Sequence, residues 1–524
     1  MTARRHLVAL VAASTLAAGT LMASPATAHG NPHTPERFAD RVTTQGVMRH
    51  LERFQAIADT HDGNRAALTP GYEASAEYVE TTLRRAGYRT ERDHFTFDLE
   101  VVDAASLTVG TAEPFTVEVD QMQFSPSSPE GGVTGNASAP TDGLGCTADT
   151  WDGVDAVGTI AVIGRGVCAF ADKAVNAEAA GAIGVVVHNN TEGMLFGTLG
   201  AEGVVGIPVA GTTLADGQAV LAAAAEGPVS LTLDVRFHVE EAESFNVIAQ
   251  TRHGRADNVV MLGAHLDSVE DGPGINDNGT GSAALLEVAV QLAKGKKLPN
   301  AVRFAWWGAE ELGLIGSTAY VEELAEQEGE LDRIATYLNF DMVGSPNYVI
   351  GVYDADESTY PAPVEVPEGS IATEAVFTDY LDSIGQPWVD TEFSGRSDYQ
   401  AFIVNGVPAS GLFTGADGSK TEDEVALFGG TAGIPYDPNY HTPQDDLSNV
   451  DPEALGIMSK AIAFATYSLG LDTSAVNGVT TPDRPGKGHG RGHGKGPGKG
   501  YGKGHGPGHG KGPGTSHVWE QKAS

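Results

Sequence analysis

One apolar run closes on His265 and Asp267 in VVMLGAHLDS, and Asp277 follows within the glycine-rich stretch GPGINDNGTG. A second apolar run, VRFAWWGAEELG, ends in the adjacent acids Glu310 and Glu311, and a third, ATYLNFDMVG, ends in Asp341. A second histidine, His441, stands late in the chain in PNYHTPQDD, directly after Tyr440. Singly, each is an ordinary polar group at a strand end. Gathered on one rim, they concentrate negative charge that calls for a cation. Imidazole with carboxylate suits zinc, and also manganese or cobalt, whereas calcium takes oxygen ligands alone. Two histidines and three carboxylates (His265, Asp277, Glu311, Asp341 and His441) are too many for one tetrahedral zinc. They fit two zinc ions sharing a bridging carboxylate, each still open to water.

Other chemistries fail on their own motifs. The sequence contains no H-E-x-x-H, no G-x-S-x-G and no G-x-x-x-x-G-K-[ST]. Gly279, Gly281 and Ala284 satisfy G-x-G-x-x-A, but they stand more than ten residues beyond the strand end, where a dinucleotide fingerprint must follow at once. The formal charge of −37 sets the body of the protein against nucleic acid.

Elements with the right order must position these residues. From SFNVIAQT and NVVMLGAHLD to about residue 472, buried-type strands alternate with helical patterns, which predicts an α/β fold with a mostly parallel central sheet flanked by helices. In such sheets ligands sit beyond the carboxyl ends of the strands, where His265, Glu310, Glu311 and Asp341 fall. RVTTQGVMRHLERFQAIAD and YEASAEYVETTLRRAGY have helical spacing, and RTERDHFTFDLEVVDA alternates like a strand. Residues 105–241 change texture to short Val-, Gly- and Thr-rich runs, which marks a separate small β-rich module inserted between 29–104 and 242–472. The two cysteines, Cys146 and Cys168, both fall within it. In an exported chain they are able to form one disulfide.

Arg4 and Arg5, the apolar run LVALVAASTLAAGTLMA and the small-residue site Ala26-Thr27-Ala28 predict a signal peptide over 1–28 and a secreted, extracellular protein. No later segment is expected to span a membrane. Residues 473–524 carry the repeat RPGKGHGRGHGKGPGKGYGKGHGPGHGKGPG, too polar to build a core and basic enough for cell-wall contact.

Six segments, GAHLDS, GINDNGTGSAALLE, WWGAEELGLIGS, NFDMVG, GRSDYQAF and YHTPQDD, occur in an order and spacing that resemble the co-catalytic di-zinc exopeptidases, the secreted bacterial leucyl aminopeptidase and aminopeptidase Y family. The resemblance covers about 35–104 and 242–470. GRGVCAFADKAVNAEAAGAIGVVVHNN resembles a protease-associated domain, a lid-like module without catalytic residues, and implies that Cys146 and Cys168 form its disulfide.

The resemblance implies roles for individual residues. Asp277 bridges two Zn2+ ions, His265 and Asp341 complete one site, and Glu311 and His441 the other. Glu310 is the general base, and Asp267 orients the His265 imidazole from behind. Tyr440 stabilises the oxyanion, and Arg396 in SGRSDYQAF lies near the substrate carbonyl or amine. Asp398 is read as structural, while Glu270, Asp271 and Glu287 are read as solvent-facing. QDDLSNVD offers a possible Ca2+ site. The function implied is removal of N-terminal residues, large apolar ones above all, from peptides by a monomer. The alternatives are a carboxypeptidase or dipeptidase on the same scaffold, or a non-enzymatic binding module.

Overall fold

The computed structural model describes residues 33–191 and 193–480. The signal segment and most of the basic tail lie outside the described residues. Two compact units are present. The first is built from the chain up to Phe95 and from Ser244 onward, the second from Thr96–Glu243. Both divisions fall inside long strands, Thr90–Gly110 and Ser230–Gln250, whereas the sequence reading set them at 104/105 and 241/242.

In the first unit, helices α1 (Thr44–Ala58) and α2 (Pro70–Ala86) form where the sequence predicts them. Thr43 and Thr69 cap their N-termini through side-chain oxygens, and Gly87, at φ 102, closes α2 in the left-handed conformation. The sheet and its helices follow in the order β1 (Ser230–Gln250), β2 (Arg255–His265), α3 (Gly281–Ala293), β3 (Asn300–Trp307), α4 (Ile315–Glu326) and β4 (Ile334–Phe340). After them come β5 (Gly351–Tyr353), α5 (Gly369–Ser383), β6 (Val389–Thr391), α6 (Tyr399–Val404), β7 (Ala409–Phe413), α7 (Glu422–Phe428) and α8 (Pro452–Leu471).

Across this unit the strands run β6-β5-β7-β4-β2-β3-β1. The central four, β7, β4, β2 and β3, are mutually parallel, while β1 pairs antiparallel to β3 and β5 antiparallel to β7. The chain leaves β2 for β3 on one side and then crosses to β4 on the other. This reversal opens a crevice at the carboxyl ends of the strands. Register aligns those ends: Trp307 pairs with His265, and Asn339 pairs with Gly263. Continued two residues, the second pairing brings Asp341 level with His265.

The central strands are buried on both faces, as parallel sheets covered by helices are. α3 is buried along nearly its whole length, Glu287 included. This corrects the expectation that Glu287 faces solvent. Its carboxylate accepts from Gln291 Nε2 at 2.8 Å and lies 3.3 Å from His50 Nε2, and Gly46 leaves it room: a Cβ there would stand 2.6 Å from Glu287 Oε1. By length and composition α8 is apolar enough to cross a membrane. Its apolarity has another cause, because α8 packs on α3 and α5 as a core helix and is 67% buried.

In the second unit, parallel strands Ile160–Gly164, Gly184–His188 and Val209–Thr212 alternate with helices Phe170–Ala179 and Leu214–Ala225. The module therefore carries two helices beside its strands. Cys146 and Cys168 form a disulfide.

Candidate metal centre

Four of the five predicted ligands leave the carboxyl end of a central strand or the turn that follows it, and His441 comes from the loop after α7. His265 is the last residue of β2. The chain then loops to Gly274, left-handed at φ 58, before a kinked turn over Ile275–Thr280 presents Asp277. Gly281 opens α3 where a Cβ would lie 2.2 Å from the Phe340 carbonyl oxygen, so only glycine lets the helix start this close to β4. After β3, Ala309 adopts a left-handed φ of 56, which breaks the strand and lets both Glu310 and Glu311 turn inward. On a continuous strand adjacent side chains would point to opposite faces. Met342 and His441 are left-handed as well, at φ 49 and 56. Such backbone conformations concentrate where a fold holds functional groups against local preference.

The five expected ligands converge. His265 Nε2 lies 3.2 Å from Asp277 Oδ1 and 3.3 Å from Asp341 Oδ1. His441 Nε2 lies 3.1 Å from both Asp277 Oδ2 and Glu311 Oε2. One carboxylate, Asp277, thus faces a different histidine with each oxygen. Its two groupings, with His265 and Asp341 on one side and with Glu311 and His441 on the other, bring their donor atoms close enough to hold one ion each.

The donors present fit cations. His265 Nδ1 lies 3.1 Å from the Asp267 backbone carbonyl, a bond that only a protonated Nδ1 can donate. The neutral tautomer then points the Nε2 lone pair at two carboxylate oxygens, which is repulsive unless a positive charge stands between them. Glu311 Oε1 is buried without a hydrogen-bond partner among the described residues. Without a metal, protons must supply the missing charge. Burial and then the nearby Asp277 push Glu311 up to about 7. Burial opposes a charge on His441, but Asp277 and Glu311 outweigh it and raise it to about 10. Burial, reinforced by Asp398, Asp341 and Glu311, pushes Glu310 well above the usual carboxylate range.

Around these five the structure places the other predicted residues. Asp267 is fully buried behind His265, with its carboxylate 3.7 Å from His265 Nδ1. That carboxylate accepts from the backbone N–H groups of Glu310 and Glu311 at 3.3 and 3.2 Å, so it steadies both glutamates, while its carbonyl oxygen meets the imidazole. Glu310 Oε2 reaches 3.8 Å from His265 Nε2. Tyr440 stacks on the His441 ring at 3.8 Å. Burial, with Asp277 and Glu311 nearby, keeps the Tyr440 hydroxyl protonated and so a donor. Arg396 Nη2 stands 3.4 Å from that hydroxyl, and its Nη1 donates to Asp417 at 3.1 Å. Asp398 is buried, and burial raises its pKa to about 7.

Several supporting residues carried no signal in the sequence. Ser397 donates to Asp341 Oδ2 at 2.6 Å and accepts from Asn339, which accepts from Tyr337, which in turn accepts from Trp307 Nε1. This relay ties one ligand to the sheet interior. Asp445 accepts from the backbone N–H groups of Asn276 and Asp277 at 2.8 and 3.0 Å. Within the turn read as a calcium site, Asp446 accepts from Ser448 N and Asp451 caps α8, so these acids are engaged with backbone donors. A cavity of about 230 Å³ opens from Asp277, Glu310, Glu311 and Asp341 past Tyr440 to a wall of Met342, Tyr353, Phe413 and Tyr436.

The fold and this donor set define a metallopeptidase. The chain belongs to peptidase family M28: residues 246–466 match that family, and residues 133–220 match the PA domain. A probable lipoprotein aminopeptidase of Mycobacterium tuberculosis is 43% identical over 84% of this chain and 87% of its own length. Leucine aminopeptidase 2 of Trichophyton tonsurans is 39% identical over 91% of this chain and 94% of its own. Among solved structures, the aminopeptidase from Aneurinibacillus sp. strain AM-1 aligns with a TM-score of 0.62 at 28% identity, over 83% of this chain and 96% of its own. A zinc aminopeptidase from Bacillus subtilis aligns with a TM-score of 0.65 at 25% identity, over 83% of this chain and 98% of its own.

Proposed function

We propose that the chain is a secreted aminopeptidase that uses two zinc ions to remove N-terminal residues from peptides, large apolar ones above all. The observation that carries this reading is Asp277, whose two oxygens face His265 and His441 separately, each histidine with a second carboxylate of its own. The names of the M. tuberculosis and T. tonsurans relatives support the exopeptidase class and leucine, and that of the B. subtilis structure supports zinc. His265, Asp277 and Asp341 would hold one zinc ion and Asp277, Glu311 and His441 the other, and such ions would supply Lewis-acid charge and lower the pKa of water.

The chain's own groups do the rest. Glu310 reaches the same cavity without being needed as a ligand, so it is free to take a proton from the attacking water and return it to the leaving amine. The protonated Tyr440 hydroxyl donates to the oxygen on which charge develops. Arg396, 3.4 Å away, orients that hydroxyl. Glu310 and Asp341 present negative charge to the substrate's free ammonium. The cavity of about 230 Å³ carries Met342, Tyr353, Phe413 and Tyr436 on part of its lining, an apolar patch against which a side chain such as leucine can lie. Secretion rests on the signal-peptide pattern of residues 1–28 together with the Cys146–Cys168 disulfide, which persists in oxidising compartments.

The test uses protein recovered from culture medium, with its N-terminus read by mass spectrometry at His29. Leucine amide should be cleaved, lysyl and glycyl amides more slowly. Dialysis against chelator should abolish cleavage, and two equivalents of zinc should restore it. Full activity in chelator, or hydrolysis only of peptides with a blocked amine and a free carboxylate, overturns the reading.

A further inference from the structure

The loop between His265 and Asp277 lacks regular structure until Ile275, yet it must hold one histidine and the shared carboxylate at fixed separation. Hydrogen bonds inside the loop account for little of this. Ser268 donates to the carbonyls of Val269 and Gly272, and Gly279 N bonds back to Gly274 O. The main clamp comes from a residue two hundred positions earlier. Arg65 is 0% exposed, and its guanidinium is spread over three backbone carbonyls of this one loop. Nη1 donates to Leu266 O, next to His265; Nε donates to Pro273 O at 2.9 Å; and Nη2 donates to Gly274 O at 2.6 Å, three residues before Asp277. The Arg65 backbone N–H donates to Ser268 Oγ at 2.9 Å, and the neighbouring Asn64 side chain donates to Glu270 O at 3.0 Å. The guanidinium stacks over Phe54 of α1 at 5.1 Å, which anchors the clamp to the core.

Among the described residues Arg65 forms no ion pair. A buried cation without a paired anion is costly, and here the charge that offsets it is spread over Asp267, Asp445, Asp277 and Glu311. A fixed positive charge beside a metal centre weakens cation binding by repulsion alone. Its presence there requires a geometric return, and the three-carbonyl fork supplies one.

The geometry points to Arg65 as a positioning residue of the metal centre: by bridging Leu266, Pro273 and Gly274 it sets the separation of His265 and Asp277, and with it metal affinity. This inference rests on the two-ion reading above. Lysine at this position keeps the charge but loses the planar fork, so it separates geometry from electrostatics.

The experiment measures zinc affinity by chelator competition, and the visible spectrum of the cobalt-substituted protein, for wild type, Arg65→Lys, Arg65→Met and Asn64→Ala. Melting temperatures of the metal-free forms are recorded beside them. Arg65→Lys should bind zinc at least tenfold more weakly at one or both sites, with an altered cobalt spectrum. Asn64→Ala should shift affinity the same way by a smaller factor. Lys420→Met removes another buried cation, one that donates to Tyr348 O and lies over Tyr348, and should lower the melting temperature with zinc affinity unchanged. Arg65 variants that melt lower but keep wild-type affinity and spectrum overturn the inference. If they do not fold, unchanged affinity in Asn64→Ala overturns it. Wild type that binds no zinc instead removes the two-ion reading beneath it.

Discussion

At the scale of single residues, the proposed function gives the two adjacent glutamates different tasks, and backbone geometry rather than residue type separates them. Ala309 in the left-handed conformation turns both into the crevice, and Asp267 fixes both through their N–H groups. Glu311 groups with His441 and Asp277, whereas the proposed function gives Glu310 the proton transfers. Replacing Glu310 by Gln should therefore lower kcat by roughly two to four orders of magnitude, the usual worth of a general base, with two zinc ions still bound. Metal analysis and steady-state kinetics on one preparation decide it. Loss of a metal ion along with activity would make Glu310 a ligand, and near-normal turnover would remove it from the chemistry. The convergence of His265, Asp277, Glu310, Glu311 and Asp341 was legible in the sequence because each ends an apolar run or lies in a glycine-rich turn, patterns that survive without three-dimensional information. Ser397, Asn276, Asp445 and Arg65 were not, because their partners are 56 to 209 residues away and no local pattern marks such a bond.

At the scale of elements, the alternation of strand and helix was readable and so was the rim on which the ligands lie. The environment of a helix was harder to read. α3 looks amphipathic only if Glu287 faces water, and the structure buries it against His50, which also hydrogen-bonds Tyr78 at 2.6 Å. Pairing across 237 positions, with Gly46 leaving the space, is invisible to periodicity. α8 shows the same limit in the opposite sense: its length and composition meet the requirement of a membrane span, yet it packs within the core. Burial opposes a charge on Glu287, but the hydrogen bonds from His50 and Gln291 outweigh it and hold its pKa below the ordinary value near 4.5. A carboxyl whose folded pKa is depressed stabilises the fold above its unfolded value and loses that contribution as pH falls through the folded one. Glu287→Gln should therefore cost about 1–3 kcal/mol near pH 6. The gap in melting temperature from wild type should narrow below about pH 4.5. A gap that stays constant between pH 3.5 and 7 would show that the charge on Glu287 contributes nothing.

At the scale of the whole molecule, the proposed metal site and the disulfide would stabilise different units. The first gathers Asp277, Glu310, Glu311 and Asp341 around two histidines, an arrangement of like charges that the proposed zinc ions would relieve. The second has its own apolar clusters and the Cys146–Cys168 bond, which closes a loop at a separation of 22 residues. Ligand linkage stabilises only the unit that holds the ligand, by about 4 kcal/mol per site at free zinc a thousandfold above Kd. Loop-closure entropy assigns the disulfide about 3 kcal/mol, felt only by the unit that contains it. Calorimetry of the full chain should therefore show one transition that chelator moves down and reductant leaves in place, and another that responds in the opposite way. The chelator that lowers the first transition should also abolish leucine amide hydrolysis, while the second transition stays in place. A single transition that shifts equally under both treatments would mean that the units unfold as one, and their separate cores would then not be separate cooperative units.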